Sequence, residues 1–243
     1  VDTRSGGSGT ERDGRGSGGT RARDRAQAAP GAVSPRGRAT RARLLAEAQE
    51  VILASGGHLE VAAVARRAEV SAGLLYRYFG SKDGLVAAVV NTFYDGYDSE
   101  VFTTRLDTGA SWPEREHDRI AREIDFLCDA PLGRMIVGRR LREPAAAHVD
   151  AERVARQIDI AARSIARGQA DGELDASVDP RLAAAAVLGA FRELMAEALS
   201  GEGDPPRAAV LDAMWRVGSS LLLRPPAGPP PRYSPASDSS SSR

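Results

Sequence analysis

The chain has 243 residues, enough for one sizeable core or for a small domain beside a larger one, and two domains are expected. Hydrophobic residues make up 42% and aromatic residues 5%, with abundant Ala and Leu and no alternating β-branched runs, so an all-α protein is expected rather than a sheet. Formal net charge is zero, which excludes a global positive field, so affinity for nucleic acid has to come from where individual basic residues stand.

Residues 1–38 are Gly, Ser, Arg, Asp and Thr with no periodic apolar positions, and such a segment cannot bury enough surface to offset its ordering entropy. This stretch is expected to be a disordered arm. Its eight arginines against four acidic residues give it a net charge of about +4, which suits a solvated tail or loose contact with phosphate.

A first helix is expected from Thr40 as N-cap, with Leu44, Leu45, Ala48, Val51 and Ile52 on one stripe and Gly56-Gly57 as its stop. A short helix over 60–68 follows, apolar at Val61, Val64, Ala65 and Ala68. After a turn at Glu69-Val70, Ser71 caps a third helix through Tyr78, and Ser81 caps a longer fourth through Leu85, Val89 and Phe93. Two short helices joined by such a turn form a helix-turn-helix candidate.

Further on, Ser111-Trp-Pro-Glu114 reads as a capping box opening a helix with Ile120, Ile124 and Leu127, and Pro131 and Pro144 bracket a shorter element. Val154, Ile158, Ala161 and Ile165 mark the next helix, which ends near Gly168 to Gly172. Asp179-Pro180 and Asp204-Pro205 each read as an N-cap followed by proline at the first helical position, so two last helices are expected to begin there. Residues 224–243, rich in Pro and Ser, read as a second disordered tail.

Between Leu182 and Ala190 every side of the helix is apolar or small, whereas Leu211, Met214, Trp215, Gly218, Leu221 and Leu222 form one strict stripe. A helix covered on opposite sides near the chain end points to a subunit interface, expected at Leu182, Ala186, Gly189, Ala190, Leu211, Met214, Trp215, Gly218 and Leu222. Antiparallel pairs from two subunits would close a four-helix bundle.

The segment from Val64 to Leu85 has a physical logic of its own. Val64, Ala68, Val70, Leu75, Phe79 and Leu85 can close a small three-helix core, which leaves Ala72, Gly73, Tyr76 and Arg77 facing outward. Small outward residues permit close approach to a groove, while tyrosine hydroxyls and a lysine at the next helix start supply phosphate hydrogen bonds. Lys82 is the only lysine in the chain.

These residues resemble the DNA-binding signature of the TetR (tetracycline repressor) family over about residues 44–85. The resemblance implies that Ser71, Ala72, Gly73 and Leu74 approach bases or a thymine methyl, and that Tyr76, Tyr78 and Lys82 bind phosphates. Arg77 has the reach for a phosphate or a guanine edge, and Arg38 and Arg41 supply charge beside the first helix. Two positions depart from the pattern. Glu69 replaces the usual turn glycine, so either it takes a positive φ at a cost of about 1 kcal/mol or the turn differs. Glu60 stands where the family often has a Thr or Ser on phosphate.

The resemblance further implies about nine helices: a helix-turn-helix domain over 39–85 and a ligand-binding, dimerising domain over 86–223. The partners it implies are a near-palindromic double-stranded operator, a second copy of the chain and a small-molecule effector that releases the DNA. The large side chains available to line the effector pocket are Phe93, Tyr94, Tyr97, Phe102, Trp112, Phe126, Met135 and Phe191. Arg139, Arg140 and Arg142 form a basic cluster, read as a solvated face or as the partner of an anionic ligand.

An enzyme is not expected. His58, His117 and His148 stand far apart in sequence, paired cysteines are absent, and neither a GxSxG nor a phosphate-cradling Gly-Lys-Ser loop occurs. No cofactor or metal is expected. The single Cys128 excludes an intramolecular disulfide and fits a reducing, cytoplasmic setting, and no apolar run reaches the roughly 20 residues of a membrane span. The alternative reading is a helical, dimeric interaction protein that lacks ligand response or has lost DNA binding.

Overall fold

The computed structural model describes residues 34–103, 110–201 and 203–223, and nine α-helices with no strand occur among them. The expected arm and tail at residues 1–33 and 224–243 lie outside the described residues.

Helix α1 (Pro35–Ala54) begins earlier than its apolar stripe suggested. Ser34 accepts from Gly37 N–H at 3.1 Å and Pro35 stands in the first turn, so residues 35–38, expected in the arm, are helical. Proline at N1 loses no hydrogen bond, and a serine N-cap before it is a stronger start than Thr40. Thr40 instead donates its hydroxyl to Arg36 C=O inside the helix. Helices α2 (Val61–Arg67) and α3 (Ala72–Phe79) follow, then α4 (Lys82–Tyr97), which runs unbroken through residues 85 and 86. A π-helical segment, Asp98–Thr103, extends it.

The body adds α5 (Trp112–Asp129), the single-turn α6 (Gly133–Ile136), α7 (Pro144–Ala170), α8 (Pro180–Ser200) and α9 (Arg207–Leu222). Glu114 accepts the Ser111 N–H at 2.8 Å, the reach-back bond of a capping box, and also the Ser111 hydroxyl at 2.7 Å, and those bonds hold its carboxyl below the usual range. Asp179 accepts from Arg181 and Leu182 N–H at 2.9 and 2.8 Å. Asp204 does not cap α9. Pro206 biases the residue before it away from helical dihedrals, so Pro205 cannot serve as the first helical residue and α9 starts at Arg207.

Helix α7 packs against α4 and α8, and α9 packs against α5 and α8. Leu44, Ile52, Val64, Ala68, Leu75 and Leu85 close the head formed by α1 to the start of α4. Tyr94, Ile120, Ile124, Phe191, Met195 and Met214 are the buried centre of the body.

Candidate nucleic-acid interface and ligand cavity

Helix α3 is held from one side only. Leu75 is buried at 2% exposure and Leu74, Tyr78 and Phe79 are half-buried, while Ser71, Ala72, Gly73, Tyr76 and Arg77 are exposed. Ser71 Oγ accepts from Leu74 N–H at 3.3 Å and so fixes where the helix begins. A Cβ added at Gly73 would meet nothing nearer than Ser71 Oγ at 3.8 Å. Packing therefore does not require glycine there; what glycine does is lower the outward surface.

The turn before α3 carries strain. Glu69 has φ 52°, the positive-φ alternative expected from its place in the sequence. Arg43, which the sequence did not single out, donates from Nη1 to Ala68 C=O at 2.7 Å and ties α1 to that turn. Glu60 stands at the N-cap of α2 with no capping hydrogen bond from its side chain and is exposed. Arg41 lies 5.3 Å from the centre of the Phe79 ring and Arg77 5.8 Å from that of Tyr78, so both guanidiniums rest on aromatic faces beside α3.

Lys82 opens α4, and Ser81 Oγ accepts from Gly84 N–H at 3.0 Å to set that start. A Cβ on Gly84 would overlap the Phe79 carbonyl, so the α3–α4 turn depends on this glycine. Lys82 Nζ is 3.0 Å from Glu143 Oε2, a carboxylate at the N-cap of α7 that is 7% exposed. The other oxygen of Glu143 accepts Leu59 N–H at 2.9 Å. Beside it Arg142 N–H donates to Gly57 C=O at 3.1 Å, and a Cβ on Gly57 would overlap Arg140 C=O. The segment between α6 and α7 thus grips the α1–α2 turn and the start of α4 together. Of the basic cluster there, Arg139 pairs with Glu193 at 2.5 Å and Arg140 donates to Ser200 C=O at 2.7 Å, so both are tethers to α8 rather than a free cationic face.

At the far end of α4 the body encloses a cavity of about 170 Å³. Its walls are Val101 and Phe102 of the π-helical segment, Trp112, Arg115, Glu116 and Arg119 of α5, and Ile160, Ala161, Ser164, Ile165 and Arg167 of α7. Ala184, Val187 and Leu188 of α8 and Leu222 of α9 complete it. Of the large residues expected to line a pocket, Trp112 and Phe102 do so. Phe93, Tyr94, Tyr97 and Phe126 instead fill a packed aromatic cluster, with ring centres 5.1 Å apart for Phe93 and Tyr94 and 5.7 Å for Tyr97 and Phe126. Phe191 is 1% exposed between α8 and α9, and Met135 packs against the core from α6. Bulky side chains abolish space. The void lies where Ala161, Ser164 and Ala184 meet, a coincidence of small residues from two helices that the sequence does not mark.

The aromatic cluster carries its own charges. Tyr94 donates to Asp150, which Arg192 Nη2 holds at 2.8 Å. Tyr97 donates to Glu123 at 2.8 Å. Burial raises both phenols well above the usual tyrosine value. Arg119 forms a fork with Glu116, at 2.6 Å from Nη2, and reaches Glu123 at 2.9 Å. Burial works against its charge, but the two carboxylates outweigh that and raise its pKa. Cys128 is half-buried, and burial pushes its thiol up, away from reactivity. Among the described residues no cluster of metal-ligating side chains occurs, and no helix is long and apolar enough to cross a membrane.

The expected interface residues divide. Along α8, Ala183, Ala184, Val187, Leu188 and Phe191 face the protein's own core, while Leu182 at 72% exposure, Ala185, Ala186 and Gly189 face outward and Ala190 is half-buried. A Cβ on Gly189 would meet nothing within 4 Å, so no intramolecular contact requires glycine there. On α9, Met214, Gly218 and Leu222 are buried within the same subunit, and Leu211 and Trp215 pack partly against its core. That stripe is what attaches α9 to α8 and α5, which corrects the assignment of Met214, Gly218 and Leu222 to a partner-facing surface. Ala185 and Val217, at 36% exposure, are outward apolar positions not singled out from the sequence.

Residues 44–89 match the family of bacterial regulatory proteins of the tetR family. No curated protein matches the chain. Among solved structures, a putative TetR-family transcriptional regulator from Mesorhizobium loti is 20% identical, with a TM-score of 0.61 over 79% of this chain and 100% of that one. A putative TetR-family regulator from Rhodococcus sp. is 25% identical, with a TM-score of 0.57 over 74% of this chain and 98% of that one. The transcriptional regulator FadR from Bacillus subtilis, solved in complex with stearoyl-CoA, is 20% identical, with a TM-score of 0.60 over 74% of this chain and 98% of that one. Residues 44–89, which hold the second half of α1, all of α2 and α3 and the first half of α4, thus match the tetR family of bacterial regulatory proteins, and the described residues have the fold of that family's regulators.

Proposed function

We propose that this protein is a ligand-responsive transcriptional repressor, which binds a near-palindromic operator as a homodimer and leaves it when a small molecule occupies the body. The observation that carries this reading is the outer surface of α3. Ser71, Ala72, Gly73 and Tyr76 are exposed together, and Gly73 is small where packing asks for nothing small. Such a rod, low along one side and flanked by Arg41, Arg77, Tyr78 and Lys82, fits a major groove with phosphates on either hand. Leu74, at the edge of that surface, is the apolar group available to a thymine methyl.

Two such heads need a fixed spacing. The outward face of α8, with Leu182, Ala185, Ala186 and Gly189, supports dimerisation, since a flat stripe of small residues lets a second copy of α8 approach closely. Release of DNA requires a ligand that binds one head spacing better than the other. Helix α7 is a candidate lever: 27 residues, about 40 Å, with the cavity against its last turns and Glu143, the partner of Lys82, at its first.

The test is footprinting of the purified protein on genomic DNA of its source, with its mass in solution measured alongside. A protected near-palindromic site, occupied by a dimer, with binding that weakens steeply as salt rises, is the expected result. Absent or salt-independent binding to every duplex would refute it. So would a dimer that survives Gly189→Arg, on the subunit contact.

A further inference from the structure

The cavity at the far end of α4 is rich in arginine, and an anionic effector looks natural there until the charges are counted. Arg119 is already forked by Glu116 and bound by Glu123. Arg115 donates to Ala110 C=O and stands 3.5 Å from Glu173, whose other oxygen takes Trp112 N–H at 2.7 Å. Arg167 is exposed at the rim, where water screens it. Arg115 and Arg119 are therefore paired, and Arg167, which has no ion pair among the described residues, stands in water, so an anion seated inside the cavity between Arg115 and Arg119 would have to displace a carboxylate.

Away from these charges the wall is apolar, formed by Val101, Phe102, Trp112, Val187 and Leu188, with one uncharged polar side chain among them. Ser164 on α7 lines the cavity, and its hydroxyl makes no hydrogen bond to any described residue. The volume, about 170 Å³, is close to that of apolar protein cavities that take up benzene. We propose that this cavity binds a compact, uncharged, mainly apolar molecule of about ten non-hydrogen atoms or fewer, with its body against Trp112, Phe102, Val187 and Leu188 and one hydroxyl or carbonyl on Ser164. The inference rests on the ligand-responsive reading above and gives that reading a ligand class. It also separates this chain from the stearoyl-CoA complex of the Bacillus subtilis regulator, whose ligand is both longer and strongly charged.

Trp215→Phe leaves Trp112, inside the cavity wall, as the one tryptophan of these 243 residues and so as a local reporter. Its emission is followed on titration with 2-phenylethanol, phenylacetate and lauroyl-CoA. The expected result is a saturable response to 2-phenylethanol, a response to phenylacetate at least about tenfold weaker, and none to lauroyl-CoA. Ser164→Leu, which fills the space, removes the response. Ser164→Ala, which leaves packing intact, weakens 2-phenylethanol about threefold or more without weakening ethylbenzene, which carries no hydroxyl. Equal or tighter binding of phenylacetate or lauroyl-CoA overturns the proposal, as does indifference of 2-phenylethanol affinity to both Ser164 changes. Salt-dependent DNA binding is read on the same preparations. Its absence would sink the repressor, whereas intact DNA binding with no response of Trp112 to 2-phenylethanol would sink the ligand class alone.

Discussion

In the head, Arg41 and Arg77 rest on the faces of Phe79 and Tyr78 with their charges unpaired by any carboxylate among the described residues, and Lys82 remains 45% exposed beside its single partner. In the body, Arg119, Arg153 and Arg192 are enclosed by acids: Arg119 by Glu116 and Glu123, Arg153 by Asp95 and Asp98, Arg192 by Asp150. One residue type therefore serves two ends. Stacked on a ring at the surface, a guanidinium keeps its donors for something outside the chain, whereas forked by buried carboxylates it holds helices together. A net charge of zero conceals this division, because the acids that balance the arginines stand mostly in the other half of the molecule.

The contrast is broken most forcefully at Arg119. Arg119→Met leaves Glu123, 3% exposed, with Tyr97 as its only remaining donor among the described residues, and a buried carboxylate stripped of its cation is costly. The expected loss is about 3–5 kcal/mol in urea-induced unfolding. In the head, Arg77→Met is expected to alter stability by less than about 0.5 kcal/mol while weakening DNA binding. Equal stability losses at the two sites would erase the distinction between them.

A second difference is in how tightly each region tolerates added volume. Gly84→Ala places a methyl on the Phe79 carbonyl, and the turn that sets both Tyr78 and Lys82 has to open. A loss of about 1–3 kcal/mol is expected, with DNA binding falling further than stability alone explains. Gly189→Ala on the exposed face of α8 meets nothing, so the isolated subunit should tolerate it; thermal unfolding of the two variants side by side decides the point.

The head was legible because its meaning is local. Ser71, Ser81 and the spacing of Val64, Ala68, Leu75 and Leu85 fix two short rods within 25 residues, and burial follows that spacing. The strain at Glu69 was one of two alternatives that the sequence left open, a positive φ or a different turn, and the chain takes the first. The cavity was not legible. Choosing the largest side chains as its lining selected Phe93, Tyr94, Tyr97 and Phe126, whose size is what closes space, whereas a void forms where small residues from distant helices happen to oppose. The Glu143–Lys82 link was hidden for a related reason: 61 positions separate the partners, and nothing in the local pattern around Glu143 marks it as more than a helix start. The apolar stripe of α9 was identified correctly but given the wrong partner, since periodicity shows that a face is covered and not by which subunit.

That link is also where head and body can be played against each other. Lys82→Ala should make the salt dependence of DNA binding shallower by about one unit of slope. Glu143→Gln keeps an oxygen for Leu59 N–H but removes the charge that holds the lysine, so DNA binding should tighten several-fold with the slope retained. If both changes weaken binding alike, Lys82 acts as a strut between head and body and not as a phosphate contact.

The smallest effect compares two residues with left-handed backbones, Glu69 at φ 52° in the head and Arg139 at φ 56° in the body. Outside glycine this conformation costs roughly 1–2 kcal/mol, and glycine returns about 0.4–1 of that through the entropy of the unfolded chain. Glu69 is exposed and has no ion pair among the described residues, so Glu69→Gly sacrifices nothing else and should stabilise by about 0.5–1 kcal/mol. Arg139→Gly gives up the pair with Glu193, but both side chains there are two-thirds exposed and such pairs contribute little, so the gain should be slightly smaller. The denaturant midpoint at unchanged m-value measures both. A loss at Glu69 together with a gain at Arg139 would mean that the turn before α3 draws stability from a contact of the Glu69 side chain, and the head would then be less independent of its surface charges than its buried residues imply.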